Sequence, residues 1–417
     1  MVRRHRPRMR HGAGFWVVAV TFLIVMAYST VPTPLYPVYQ QRDGFPPFVI
    51  TVIFAAYAVG VIISLYFAGH ISDWLGRRRI LVVAVLISAV SALMFLMWAD
   101  VPGLIAARFI NGVSIGIITA TATAHLGELR SVVRPDENAV VAASVSGAAN
   151  LGGLSLGPLV GGLFATFLAA PLMLPHLVFL VILLSAAVAL LLVPETVEVP
   201  DQAPRYRPQR LSVPAGARAS FLVAAFGAFS GFAVLGLFTS LAPTFLISTF
   251  MTSDHLLAGA TSFAVFAAAA AGQLLLSPLP VRGRFGLAII ACSVGLALVA
   301  VGALLPQLAV FIAGGAVAGL GVGLLFTGAV STAMSVADPL RKGETLALIF
   351  LIAYAGLAIP ALLVGAALSV ASPTVVLLVF LAIVFVATTI AGGTMRQRAP
   401  RIRRSGMAQR AQSDQMS

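Results

Sequence analysis

The hydropathy pattern constrains this chain more than any other feature. Twelve stretches are long and apolar enough to cross a bilayer, which takes about 20 residues of helix. They cover residues 14–37, 48–70, 79–99, 103–126, 139–165, 171–193, 219–248, 256–279, 285–305, 308–335, 344–369 and 373–394, and are called spans 1 to 12 below. An open sheet would leave unpaired backbone groups in hydrocarbon, so each span must be a helix. Only 9% of the 417 residues are charged, against about 25% in soluble domains. The expected class is therefore an all-α integral membrane protein with twelve transmembrane helices. Phe15 to Val31 exceeds the apolar core of a leader peptide, and no small-residue cleavage motif follows it, so it reads as the first span.

Charge placement orients the chain. The formal net charge is +13, and 24 of the 26 basic residues fall in the tails or in alternate connections. Only Arg42 lies in a connection on the other side, and Arg108 lies within span 4. The positive-inside rule puts the basic side, with both termini, in the cytoplasm of a cell-membrane protein. The same placement explains the basic balance without nucleic acid, because no arginine-rich amphipathic face exists. The single cysteine, Cys292, excludes an intrachain disulfide and a thiolate cluster. His70, His125, His176 and His255 show no ligand spacing, so neither a metal nor any other cofactor is expected.

Residues 194–218 form the longest polar interruption, opening with Pro194-Glu195-Thr196 and carrying four further prolines. They read as a semi-rigid cytoplasmic linker between an N-terminal six-helix bundle (1–193) and a C-terminal one (219–395). A basic tail (396–417) follows, with a composition that predicts disorder. The halves echo each other weakly. Pro34 parallels Pro243, Gly112 and Gly116 parallel Gly319 and Gly323, and Pro158 parallels Pro360. A six-plus-six duplication is the expected architecture of a transporter whose site lies between two bundles.

Three motifs carry more than packing. Between spans 2 and 3 stands Gly69-His70-Ile71-Ser72-Asp73-Trp74-Leu75-Gly76-Arg77-Arg78-Arg79. Gly76 permits a tight turn, Arg77 can pair with Asp73, and an acid there can meet the positive end of a neighbouring helix. A topogenic loop with one stray acid would explain the arginines but not the joint spacing. In span 4, Arg108-Phe109-Ile110-Asn111-Gly112 places a charge in the hydrocarbon region, where it is expensive. Arg108 either faces a cavity or snorkels to the interface. In span 5, Gly153, Gly157, Pro158, Gly161 and Gly162 combine close-approach glycines with a helix-bending proline.

In this order the motifs resemble those of the major facilitator superfamily: Gly-x-x-x-Asp-x-x-Gly-Arg-Arg/Lys, then Arg-x-x-Gln-Gly-x-x-x-Gly, then Gly-x-x-x-Gly-Pro-x-x-Gly-Gly. Asn111 replaces the glutamine, and Ser144 replaces an earlier glycine of the third motif. The resemblance implies two six-helix bundles related by a pseudo-two-fold axis, and no enzyme activity. It makes Gly69, Asp73, Gly76, Arg77 and Arg78 a conformational latch, with the start of span 11 at Gly343-Glu344 as receptor for Asp73. It makes Arg108 and Asn111 candidates for the cavity or for proton coupling. The span 5 motif is the family's antiporter signature, so the implied function is proton-driven export of a small organic compound by a monomer, as in twelve-helix drug and sugar exporters. Tyr28, Asn150, Gln273, Phe326 and Tyr354 are candidates for the substrate cavity or, equally, for helix–helix contacts. No acid falls at mid-depth in any span, so uniport or import of a neutral solute stays open. An embedded enzyme or a channel lacks its catalytic cluster or its filter.

Overall fold

A computed structural model describes residues 9–137, 140–197, 206, 208, 215–275, 279–337 and 342–398. Twelve helices long and apolar enough to span a bilayer account for most of them, and no strand occurs among the described residues. Most of the proposed linker and the tail from residue 399 lie outside the described residues.

The helices run His11–Thr30, Pro47–Ala68, Arg77–Met97, Val101–Val133, Val140–Phe167 and Leu174–Leu191 in the first half. In the second they run Arg218–Ser240, His255–Leu275, Val281–Leu304, Leu308–Ser335, Lys342–Ala367 and Pro373–Arg398. Three differences from the expected spans have physical causes. Span 1 does not continue to residue 37: it ends at Thr30, gives a short turn over Thr33–Leu35, and resumes as Tyr36–Asp43. Pro32, Pro34 and Pro37 lack the N–H that a continuous helix needs. Span 7 breaks likewise at Leu241, before Pro243, and resumes as Ala242–Phe250. Span 4 runs seven residues beyond its expected end, because Glu128 and Arg130 find partners while still helical and do not mark a loop.

The packing repeats with an offset of six helices. Span 1 packs on 4, 5 and 6, span 2 on 4, and span 3 on 4 and 6; span 7 packs on 10, 11 and 12, span 8 on 10, and span 9 on 10 and 12. The halves meet where span 5 packs on span 8 and span 11 on span 2, contacts that exchange under the same offset. This is the pseudo-two-fold relation of two six-helix bundles. Spans 3, 6, 9 and 12 stand outermost and expose apolar side chains such as Leu86, Val188, Val294 and Ile383. A face like that is a lipid contact.

In lipid no hydrophobic force draws helix to helix, so close packing of small residues must do it. A Cβ at Gly112 would collide with the Tyr57 carbonyl oxygen, and one at Gly319 with that of Val265. Four residues on, Gly116 and Gly323 meet spans 2 and 8 in the same way. The weak glycine echo between the halves is thus one contact made twice. Gly112→Leu and Gly319→Leu are each expected to cost about 1–3 kcal/mol by overpacking, read as a lower thermal midpoint of the detergent-purified protein. Gly152→Ala, whose Cβ meets nothing within 4 Å, should leave the midpoint unchanged; equal midpoints for all three would refute the backbone-contact reading.

Candidate functional site

Between the halves lies a cavity of about 520 Å³. Spans 1, 2, 4 and 5 line it on one side and 7, 8, 10 and 11 on the other, with the connection from Gly69 to Asp73 and Arg77 at the head of span 3 at one end. Its described wall is largely apolar, with aliphatic side chains such as Leu151, Leu154, Leu235 and Val330 beside aromatic and uncharged polar ones, and it bears no charge at mid-depth. Tyr57, Tyr354, Phe232, Phe326 and Phe350 form a continuous run of ring contacts, with centroids 4.9–6.2 Å apart, that crosses from one half to the other. Asn150, Gln273, Ser146, Thr123 and Thr327 supply hydrogen-bonding groups. Charge appears only towards the end that bears the termini, where Asp73 and Arg77 join the lining beside Gly343 and Leu346.

The opposite end is shut by backbone. A Cβ at Gly259 of span 8 would run into the Pro158 carbonyl oxygen, and one at Gly162 would stand 2.6 Å from that of His255. The Leu256 amide donates to Thr166 Oγ1 at 3.0 Å. Gly365 of span 11 sits equally tight against Thr51 of span 2. The span 5 glycines divide their work. Gly153, Gly157 and Gly161 admit span 1, whereas Gly162 faces the other half.

The connection between spans 2 and 3 is a polar hub. Gly76 has φ of +97°, a conformation that only glycine adopts without strain. Arg77 pairs with Asp73, donates to Ser72 Oγ at 2.7 Å, and meets Glu128 of span 4 at 2.9 Å. Glu195, beyond span 6, accepts from the Arg77 amide at 2.8 Å and the Arg78 amide at 3.2 Å, capping the positive end of span 3. The Arg78 guanidinium donates to the Val193 carbonyl at the end of span 6. Thr196 donates to Glu128 and lies 3.1 Å from His125 Nδ1. Nearby, the Arg130 guanidinium beside Glu137 holds that carboxyl below the usual carboxylate range. Asp73 itself is more than half exposed, facing the cavity mouth.

Arg108 is buried at 1% exposure. It donates to the Tyr36 hydroxyl and the Ser29 carbonyl, and its guanidinium lies 5.3 and 5.5 Å from the ring centroids of Tyr36 and Tyr57. It does not snorkel, and it does not line the cavity; Ser29 and Tyr57 stand between. Among the described residues no carboxylate pairs with it. Asn111 turns away towards span 3 and donates to Ser88 Oγ at 3.3 Å. Tyr28 also lies inside the first half, where its hydroxyl is 3.1 Å from His176 Nδ1; Tyr39 reaches the other ring nitrogen at 3.2 Å, and Phe95 stacks on the imidazole. Of the cavity candidates, Asn150, Gln273, Phe326 and Tyr354 line it, whereas Tyr28, Arg108 and Asn111 do not. Glu128, Glu195, Thr196 and His176 had no sequence signal, because their partners lie 51 to 148 residues away.

A family model described as Major Facilitator Superfamily matches residues 17–304. The quinolone resistance protein NorA of Staphylococcus aureus is 26% identical over 144 residues, covering 34% of this chain and 36% of that one. The arabinose-proton symporter of Bacillus subtilis is 33% identical over 82 residues, covering 20% and 18%. The chain thus matches only about a fifth to a third of these curated relatives' lengths. Among solved structures, a variant of the nucleoside transporter NupG superposes with a TM-score of 0.68 at 12% identity, covering 92% of this chain and 99% of that chain.

Single-cysteine chemistry can check the placements, since the natural Cys292 is buried. In purified protein, a water-soluble maleimide is expected to label Asn150→Cys and to spare Arg108→Cys. Equal labelling rates would put Arg108 in the cavity wall.

Proposed function

Since the chain belongs to the Major Facilitator Superfamily, we propose that it exports a small, neutral, partly aromatic organic compound across the cell membrane by alternating access. The observation that carries this reading is the cavity, which reaches the terminus-bearing end and is shut by glycine contacts at the other. With the basic side in the cytoplasm, this is the inward-facing state, from which an exporter would load its substrate. The ring run from Tyr57 to Phe350 suits an apolar, planar body, and the amides of Asn150 and Gln273 suit its polar groups. A small site of this kind takes specificity from a few placed polar groups in an apolar wall. The span 5 glycine motif and the name of the Staphylococcus aureus relative both support export.

The latch fits the same cycle. Asp73 sits across the cavity mouth from the head of span 11, where Gly343 lines the opposite wall. Closing the mouth would bring this carboxylate to the positive end of that helix, while the hub around Arg77 keeps spans 2, 3, 4 and 6 moving as one body. Asp73→Asn is expected to lower transport roughly tenfold, the effect of taking ~1.4 kcal/mol from the closed state, with membrane abundance unchanged. An unaltered rate would remove the latch.

Exchange for protons is the proposed drive. The second reading, a uniporter or importer of a neutral solute, is favoured by one observation: no carboxylate other than Asp73 lines the cavity among the described residues. Susceptibility to a panel of drugs and metabolites, in a host stripped of its own exporters, identifies the substrate. Substrate efflux from proteoliposomes should then accelerate under an imposed pH gradient, and indifference to the gradient would favour the uniporter.

A further inference from the structure

Two carboxamides stand on either side of the seam between the halves, on the terminus-bearing side of the glycine junction. The Gln273 Oε1 of span 8 lies 3.8 Å from the place a Cβ on Gly147 of span 5 would take. Asn150 follows Gly147 by three residues, on the same face of that helix. Both side chains are half-buried and line the central cavity. Neither makes a hydrogen bond among the described residues. The hydroxyls around them are already committed. Thr119 and Thr327 donate to carbonyls of their own helices at 2.7 and 2.9 Å, and Thr123 and Ser146 bond to each other at 2.9 Å.

Helices in lipid ordinarily spend such amides on bonds to one another. Here one comes from each half, and both are left open to the cavity. A carboxamide offers a donor and an acceptor. Its best partner is an edge that offers the same two side by side, as when asparagine or glutamine reads adenine. The wall beyond them is aromatic: Phe232 of span 7 and Phe326 of span 10 line the cavity with ring centroids 4.9 Å apart. A planar ring stacked on that wall turns an edge to spans 5 and 8.

We propose that the cavity selects a planar nitrogen heterocycle that carries an N–H donor and a carbonyl acceptor side by side, a cyclic amide. One carboxamide accepts from the ring N–H and the other donates to the neighbouring carbonyl, so a single ligand edge bridges the two halves. The proposal rests on the central cavity being the substrate site, and on neither the direction nor the drive of transport.

Equilibrium binding to the purified full-length protein tests it, with carbostyril, a bicyclic aromatic lactam, and N-methylcarbostyril, which lacks the donor. The parent lactam should bind about tenfold tighter, the worth of one hydrogen bond. Asn150→Leu and Gln273→Leu should each weaken carbostyril by about the same factor. With the methylated ring the bond to the accepting amide is already missing, so one of the two variants should change nothing. Phe326→Leu should weaken both ligands alike, because it removes stacking surface. Equal affinity of the two ligands, with loss from Phe326→Leu, would overturn the cyclic-amide edge and leave the cavity as the substrate site. Binding that none of the three variants alters would place the ligand elsewhere and overturn both. Binding of neither ligand would overturn the substrate class. If a variant fails to fold, the comparison of the two ligands on the unaltered protein decides.

Discussion

Everything in this molecule depends on backbone meeting backbone where a glycine removes the Cβ. Helices surrounded by lipid gain nothing from the hydrophobic effect by touching each other, and each atom pair in contact contributes only about 0.1–0.2 kcal/mol. A contact must therefore be close and extended to hold. Within the first half, Gly153, Gly157 and Gly161 give span 5 an unbroken seam along span 1, and Gly60, Gly112 and Gly116 do the same between spans 2 and 4. Between the halves, Gly162 and Gly259 make the same kind of contact at one end, where Gly365 also packs against the Thr51 side chain. Long seams inside and short ones between leave two stiff bodies with one yielding junction.

The two internal arginines show how depth changes the way a charge is held. Arg77, at the membrane edge, has Asp73 and Glu128 within reach, which tie the head of span 3 to the segment after span 2 and to span 4. Arg108, in the hydrocarbon region, has a phenol, a carbonyl and two aromatic faces instead. A buried carboxylate would bring its own desolvation cost, whereas rings and carbonyls are apolar enough to sit in the bundle and still offer negative potential.

Much of the architecture was legible in the sequence, since hydropathy counts helices and charge orients them. Gly76, Asp73 and Arg77 were legible because their functions are local: a turn, an acid and its partner four residues on. Motif spacing put Arg108 and Asn111 on span 4 but not which neighbours they face: Arg108 turns to Tyr36 and Ser29, and Asn111 to Ser88. Azimuth is set by neighbours, and a glycine-rich helix has no strong apolar face to declare it. Tyr28, left open between the cavity and a helix–helix contact, makes the contact, turned inward by His176 from 148 residues away. Glu128 misled in the opposite sense: a charge read as the end of span 4 is the contact that keeps it helical.

The position of the glycine junction has a mechanical consequence. The tightest glycine contacts between the halves lie at one membrane face, so in the alternating-access cycle proposed above that contact would serve as a fulcrum and the rest of each bundle as its arm. Over the ~30 Å of the hydrocarbon core, a tilt of about 10° at the fulcrum displaces the far ends by roughly 5 Å, close to the width of a flat aromatic molecule. A small slippage at Gly162 and Gly259 would thus be geared up into a doorway, and the gearing would be lost if glycine contacts this tight ran the full length of span 5.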